Sequence, residues 1–103
     1  KYFNNVYNAM LITFANSFSS ICDSNDVDYS KVKEVIVQRN HIQDIYLNSS
    51  VDTRGFGGAC FPKDTSALNE LAKRVTKYDI TFFEDILKQN KQFETTVFKG
   101  MRK

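Results

Sequence analysis

The segment GFGGACFPKD, residues 55 to 64, places one cysteine among backbone that a substrate can approach closely. It holds three of the four glycines of the chain, its only proline and the thiol of Cys60. Glycine lacks a Cβ, so glycine-rich backbone leaves room for a bulky polar molecule beside a reactive side chain. A cysteine that only fills a core does not need such neighbours, and the segment therefore suggests a nucleophile.

The surroundings of Cys60 also favour the reactive thiolate form. The pattern predicts that a helix begins at Asp64 or Thr65, and Lys63 is three residues beyond the thiol. A helix start and an ammonium group both stabilise a nearby thiolate. Cys22, in contrast, lies on an apolar predicted helix and is interpreted as structural. Local chemistry alone leaves two roles open for Cys60, a nucleophile and a small buried side chain.

Lys1 and Asn5 form a second candidate pair. Residues four apart project from the same face of a helix, and this face lies away from the apolar stripe. One interpretation is a solvated surface. The other is an ammonium and an amide placed together to stabilise a developing oxyanion.

Several other kinds of site are not supported. GFGGAC does not have the G-x-G-x-x-G spacing of a dinucleotide-binding turn, and no predicted strand precedes it. His41 is the only histidine and no Cys-x-x-Cys occurs, so we expect no metal site. A net charge of +2 with scattered basic residues gives no indication of nucleic-acid binding. No apolar run approaches the roughly 20 residues of a membrane span.

The 103 residues are enough for one domain, and 42% of them are hydrophobic, as in a globular chain. Two cysteines in different contexts do not make a disulfide framework, which suits a reducing cytoplasm. Because the chain starts on Lys1 rather than Met, we expect an internal piece of a longer protein.

Helical periodicity dominates the chain and predicts an all-α fold of about four helices, the first of them long. Asp28 is the expected N-cap of the second helix. Residues 39 to 62 lose the helical period and are expected to form a long functional loop. The residues expected to face the core are, in helix order, Phe3, Val6, Met10, Phe14, Phe18 and Ile21; Val32, Val35 and Ile36; Ala67, Leu68, Leu71, Ala72 and Val75; and Phe82, Phe83, Ile86, Leu87, Phe93 and Val97. The first and fourth helices carry more large apolar residues than so small a bundle needs, which suggests contact with a second subunit or with other lobes.

GFGGACFPKD, preceded at a distance by KYFNN, resembles the UDP-glucose/GDP-mannose dehydrogenase family and, within it, the UDP-glucose type. The resemblance covers essentially the whole chain, as the central helical domain between an NAD-binding and a UDP-binding lobe that are absent from residues 1–103. It implies NAD-dependent oxidation of the C6 hydroxyl of UDP-glucose to a carboxylate, and a homodimer formed through the long first helix. A fragment without the NAD lobe is expected to be inactive.

The resemblance also implies roles for individual residues. Cys60 would capture the aldehyde as a thiohemiacetal and then carry a thioester, and it would also lie at the cofactor. Lys1 and Asn5 would bind the substrate and stabilise the oxygen that becomes negatively charged. Asp64 would help to activate the hydrolytic water, although its expected position also suits an N-cap. The remaining implied contacts are Gly55, Phe56 and Gly57 with the nucleotide sugar, and Lys63 with NAD.

Three points stay open at the level of sequence. The substrate could also be GDP-mannose or another UDP-sugar, because the base-recognising residues would lie in an absent lobe. A helical dimerisation module without chemistry would explain the apolar surfaces but not GFGGACFPKD. The family uses an arginine that reaches the neighbouring active site, and Arg39 and Arg54 are both candidates for it.

Overall fold

The computed structural model describes residues 1–49, 55 and 60–93, and these residues contain four helices. They are α1 (Tyr2–Ser24), α2 (Tyr29–Ile36), α3 (Cys60–Val75) and α4 (Phe82–Lys91). Within these ranges no residue is in a strand, so the predicted all-α class and long first helix are confirmed. None of the described helices is long and apolar enough to cross a bilayer.

The core lies where α1, α3 and α4 meet. Its buried members are Ala9 and Ile12 of α1 and Ile86 of α4. Three half-buried apolar side chains pack around them, namely Met10, Phe61 and Phe83. Phe61 directly follows Cys60, so the start of α3 is attached to the core of the domain.

The predicted inner face of α1 was wrong in part. Val6 is buried and Met10 packs against the core, as predicted. Phe3 is 85% exposed and Phe14 is 62% exposed. The side chains that α1 buries are mostly small, and comprise Val6, Ala9, Ile12, Thr13, Ala15, Asn16, Ser19 and Cys22. Small side chains let neighbouring helices approach closely, and the large aromatic residues are left on the outer side.

The predicted inner faces of the other helices were also wrong in part. Val35 and Ile36 of α2 are exposed, because this helix touches the rest of the domain only lightly. Val75 at the end of α3 and Phe82 at the start of α4 are likewise exposed. Ala72 and Ile86 are buried as predicted. Phe93 follows the end of α4, and Val97 lies outside the described residues.

The N-cap of α2 is the residue that the sequence predicted. The Asp28 carboxylate accepts hydrogen bonds from the backbone N–H of Ser30 at 3.0 Å and from its hydroxyl at 2.7 Å. The hydroxyl bond, followed by the backbone bond, lowers the pKa of Asp28 below its ordinary value. A carboxyl group with a lowered pKa stabilises the folded state above its unfolded pKa, and this stabilisation disappears as the pH falls through the folded pKa.

We therefore expect Asp28→Ala to raise the amide exchange of α2 at neutral pH, after correction for intrinsic rates. The difference from the wild type should shrink as the pH falls through the lowered pKa of Asp28, since protonation removes the cap from the wild type as well. Glu34→Ala, which removes an exposed carboxylate from the same helix, is the matched control. Equal protection of α2 in Asp28→Ala and wild type at neutral pH would contradict this role for the cap.

Candidate active site

The first turn of α1 meets the first two turns of α3 at the carboxylate of Asp64. Asn5 donates a hydrogen bond from Nδ2 to Oδ2 of Asp64 at 2.7 Å. Lys1 Nζ lies 3.8 Å from the other carboxylate oxygen, Oδ1. The structure thus brings together three of the four residues predicted to be catalytic, although 59 residues separate Asn5 from Asp64 in sequence.

Asp64 is buried, with 1% of its surface exposed. Moving a carboxylate out of water is costly unless its oxygens find hydrogen-bond donors or a cation. Asn5 supplies the donor and Lys1 supplies the cation, on different oxygens. The Lys1 side chain is itself 69% exposed, so its ammonium lies between the buried carboxylate and the solvent.

Cys60 lies one helical turn before Asp64 on α3. Residues at this spacing share one face of a helix, which directs the thiol and the carboxylate to the same side. Cys60 is exposed while Asp64 is buried. Lys63, also exposed, lies on the same turn of α3. The arrangement places an open thiol one helical turn from a carboxylate that contacts an amide and an ammonium.

The predicted start of α3 was wrong by four to five residues. The helix begins at Cys60, and Asp64 therefore lies in its second turn and is not an N-cap. Pro62 does not end the predicted loop but lies in the first turn of α3, where a proline is tolerated because its missing N–H would have no partner. This removes the competing role for Asp64.

Thr65, next to Asp64, was missed at the level of sequence. It is fully buried, and its hydroxyl donates to the backbone carbonyl of Phe61 at 2.7 Å. This bond to a carbonyl four residues earlier satisfies a polar group inside the domain. Phe61 packs on the core, so the turn that carries the thiol and the carboxylate is held from within.

Gly55 has a role inside the chain itself. Its φ of +88° lies in the left-handed region, which side chains with a Cβ rarely adopt. A Cβ added there would lie 3.3 Å from the backbone carbonyl carbon of Phe93. Both features require glycine where the motif passes the end of α4.

Other predicted site residues fall in different places. Phe56, Gly57 and Arg54 lie outside the described residues. Arg39 is exposed just after α2. Among the described residues, no cluster of three or more histidine, cysteine or acidic side chains is arranged to hold a metal. Cys22 is buried and unpaired, in agreement with its interpretation as structural.

Comparison with known proteins identifies the family. The family model described as UDP-glucose/GDP-mannose dehydrogenase family, central domain, matches residues 1–92. The chain belongs to this family. The match includes Lys1, Asn5, Cys60 and Asp64, so the dehydrogenase central domain contains the whole cluster at the start of α3. The family is one of oxidoreductases.

Curated relatives support the same assignment. UDP-glucose 6-dehydrogenase TuaD of Bacillus subtilis is 35% identical over 92 residues, which cover 89% of this chain and 19% of that protein. UDP-glucose 6-dehydrogenase AglM of Haloferax volcanii is 38% identical over 73 residues, covering 71% and 16%. GDP-mannose 6-dehydrogenase of Azotobacter vinelandii is 38% identical over 71 residues, covering 67% and 16%. The chain spans about a fifth of the length of these dehydrogenases.

Proposed function

We propose that this chain is the catalytic centre of an NAD-dependent nucleotide-sugar dehydrogenase that converts UDP-glucose to UDP-glucuronate. The observation that carries the proposal is the contact of Asn5 and Lys1 with Asp64, one turn from an exposed cysteine. A helical bundle with a purely structural role does not require a buried carboxylate one turn from an exposed thiol. Covalent catalysis by a thiol needs hydrogen-bond donors for the oxyanion that forms when the thiol attacks a carbonyl, and a base that activates water. Lys1, Asn5, Cys60 and Asp64 are the residue types that such a reaction requires.

In the first half of the reaction the C6 hydroxyl of the sugar loses a proton from oxygen and a hydride from carbon, which leaves an aldehyde. Lys1, whose ammonium is open to solvent, would stabilise the alkoxide as the proton departs. The thiolate of Cys60 would then attack the aldehyde carbon and form a carbon–sulfur bond. Asn5 and Lys1 are the groups available to stabilise the oxygen of this thiohemiacetal.

In the second half the thiohemiacetal loses its hydroxyl proton and a second hydride, which gives a thioester on Cys60. Asp64 would accept a proton from water, the resulting hydroxide would attack the thioester carbon, and the carbon–sulfur bond would break. The products are the carboxylate and the free thiol. Covalent capture divides one difficult conversion into easier steps and keeps the aldehyde from escaping.

NAD, when bound, supplies the acceptor for the two hydrides, one molecule for each oxidation. The described residues contain only helices and connections, so the βαβ unit that holds such a cofactor would belong to a separate lobe. Lys63 fits a supporting role, since it is an exposed cation on the turn that carries Cys60. On the substrate side, the backbone of Gly55, Phe56 and Gly57 would contact the nucleotide sugar.

UDP-glucose is the substrate we favour among nucleotide sugars. TuaD and AglM are both named as UDP-glucose 6-dehydrogenases, whereas the Azotobacter relative is named for GDP-mannose. The oxidised carbon is the same in both names, so the chemistry at Cys60 does not depend on the choice. An exposed free thiol also suits a reducing compartment, and we place the enzyme in the cytoplasm.

A chimera tests the proposed function. Residues 1–92 would replace the matching part of Bacillus subtilis TuaD, which supplies the rest of the protein. With UDP-glucose and NAD, we expect the chimera to release two NADH for each UDP-glucuronate formed. A folded chimera that binds both ligands and forms no uronate would refute the proposal. GDP-mannose in place of UDP-glucose provides the substrate control.

We also propose that the outer face of α1 forms a homodimer. Five large side chains along it are exposed by 40% or more, and they are Phe3, Tyr7, Phe14, Phe18 and Ile21. Phe3 stacks on Tyr7 and Phe14 lies against Phe18, so the face forms an apolar strip with two aromatic pairs. A contiguous apolar strip of this kind marks an interface, and a second copy of the same long helix matches it in length.

Phe14→Glu is expected to weaken dimerisation by about tenfold or more, because it places a charge in the middle of this strip. Light scattering across a concentration series would measure the effect. Tyr78→Glu, which adds the same charge at an equally exposed aromatic residue away from α1, should leave the dimer intact. A wild-type chain that stays monomeric at high concentration would contradict this interface.

A dimerisation module without chemistry is the competing function, and the same α1 strip favours it. The two functions differ at Cys60. A nucleophile should react with a small alkylating reagent far faster than buried Cys22 and should be protected by UDP-glucose in the chimera. A Cys60 that is alkylated at the same rate with and without the nucleotide sugar would favour the module.

A further inference from the structure

Besides α1 and α4, the segment that contains Tyr46 contacts the start of α3, through an aromatic pair. Tyr46 lies edge-on against Phe61, with 5.8 Å between ring centroids and an interplanar angle of 68°. Phe61 is the residue after Cys60, and its carbonyl accepts the hydrogen bond of the Thr65 hydroxyl. Tyr46 therefore touches the turn that carries the thiol, from a part of the chain that contributes no predicted site residue.

The backbone of Tyr46 is in an unusual conformation. Its φ of +61° lies in the left-handed region, which is unfavourable for an aromatic residue. Such a conformation persists only when surrounding contacts impose it, and it is concentrated at functional sites. Residues 43–49 are here called the 43–49 segment. The contacts of this segment should therefore explain what holds Tyr46 in place.

Helix α2 supplies two of these contacts, from residues one turn apart. Lys33 Nζ donates to both carboxylate oxygens of Asp44, at 2.9 and 3.0 Å, and to Asn48 Oδ1 at 2.6 Å. Tyr29 donates from its hydroxyl to the Leu47 carbonyl at 2.6 Å. These partners lie on both sides of Tyr46 in sequence, so α2 holds the 43–49 segment before and after it.

The burial of these groups makes the contacts stronger than ordinary surface bonds. The Lys33 side chain is only 15% exposed, and its three donors are all engaged. Burial, followed by the charges of Cys22 and Asp44, raises the pKa of Tyr29. On the α1 side, Ser49 donates to Oδ1 of fully buried Asn16 at 2.9 Å.

We propose that Lys33 is a positioning residue, which fixes the first turns of α3 by holding Tyr46 against Phe61. Helix α2 then serves as a clamp that acts on the turn carrying the thiol through the 43–49 segment. The role assigned to Cys60 rests on the proposed function, but the mechanical coupling from Lys33 to α3 does not. This also explains why α2 is present although none of its residues is fully buried.

Amide hydrogen exchange of the 103-residue chain tests the clamp without any turnover. In Lys33→Met we expect exchange about three- to tenfold faster than in the wild type, both in the 43–49 segment and at residues 64–68 of α3. Exchange in α4 should not change. Lys33→Arg, which keeps the charge and the donors, should restore most of the protection. Lys31→Met is the matched control. Lys31 is an exposed lysine of the same helix, and its charge interacts with Asp28 at the start of α2.

Faster exchange confined to the 43–49 segment, or none beyond that of Lys31→Met, would overturn the proposal. If exchange in α4 is also faster in Lys33→Met, the whole domain is destabilised. Asp44→Asn, which changes the partner of Lys33, then decides: its exchange rates in the 43–49 segment, in residues 64–68 and in α4 are compared with those of the wild type. Its carboxylate is 48% exposed, so this change disturbs the fold less. A negative exchange result leaves the dehydrogenase proposal intact, and an inactive chimera leaves the exchange result intact.

Discussion

Cys60→Ser in the chimera is expected to lower UDP-glucuronate formation by at least about a thousandfold, as removal of a catalytic nucleophile does elsewhere. Serine keeps the size and exposure of the side chain at the start of α3. Its hydroxyl is a far weaker nucleophile than a thiolate, so neither the thiohemiacetal nor the thioester would form. Coupled measurement of NADH and of uronate in the same samples distinguishes loss of both oxidations from loss of the second alone.

Cys22→Ser is the matched control, since it makes the same atomic change at the other cysteine. Cys22 is 4% exposed on the inner face of α1, so the change should cost some stability while activity per folded molecule remains. Uronate produced at the wild-type rate by the Cys60 variant would remove the nucleophile from the mechanism. Equal losses in both variants would point to folding instead of chemistry.

Asp64 is expected to give the second largest effect, and two substitutions separate its two contributions. Asp64→Ala removes the acceptor of the Asn5 amide inside the domain, and the free energy of unfolding should fall by about 1–3 kcal/mol. Asp64→Asn keeps an oxygen for Asn5 and nearly the same volume. It should lose less stability while hydrolysis of the thioester slows by about a hundredfold, as expected for loss of a general base.

Denaturant unfolding of the 103-residue chain measures the first effect, and single-turnover kinetics of the chimera measure the second. Asp85→Asn, at an exposed carboxylate in the first turn of α4, is the control for loss of a negative charge. An Asp64→Asn variant with unchanged hydrolysis would assign the carboxylate a structural role only. A stable Asp64→Ala variant would show that Asn5 finds another partner.

The residues proposed to carry the chemistry could be paired from sequence because their spacing is local. Lys1 and Asn5 are four apart, as are Cys60 and Asp64, so each pair shares a face on any helix that contains it. The sequence pattern did not predict that α1 and α3 cross where these two pairs of residues meet. That crossing depends on the small buried side chains of α1, whose pattern is less conspicuous than the aromatic one.

The error on α1 has a physical cause. Periodicity shows that a helix has an apolar face, but not whether the same chain or a second one covers it. The sequence pattern predicts that the larger side chains, such as Phe3 and Phe14, face the core, but they are exposed. The inner face instead carries Ala9 and Asn16, both fully buried. A buried polar residue such as Asn16 can be predicted only when its hydrogen-bond partner, here Ser49, is known.

The clamp on α3 was unpredictable for a similar reason. Nothing in the sequence around Tyr46 indicates a left-handed backbone, since glycine and asparagine are the usual residues there. The bonds of Lys33 join residues 11 and 15 positions apart across a segment without regular structure. Sequence patterns predict helices and strands well, but they predict contacts between irregular segments poorly.

The most direct test of the account is peptide mass spectrometry of the acid-quenched Asp64→Asn chimera after addition of UDP-glucose and NAD. Slow hydrolysis should let the thioester accumulate, and the account predicts a UDP-glucuronyl adduct on the peptide containing Cys60, with the Cys22 peptide unmodified. Uronate released steadily while both cysteine peptides stay unmodified would contradict covalent catalysis by Cys60.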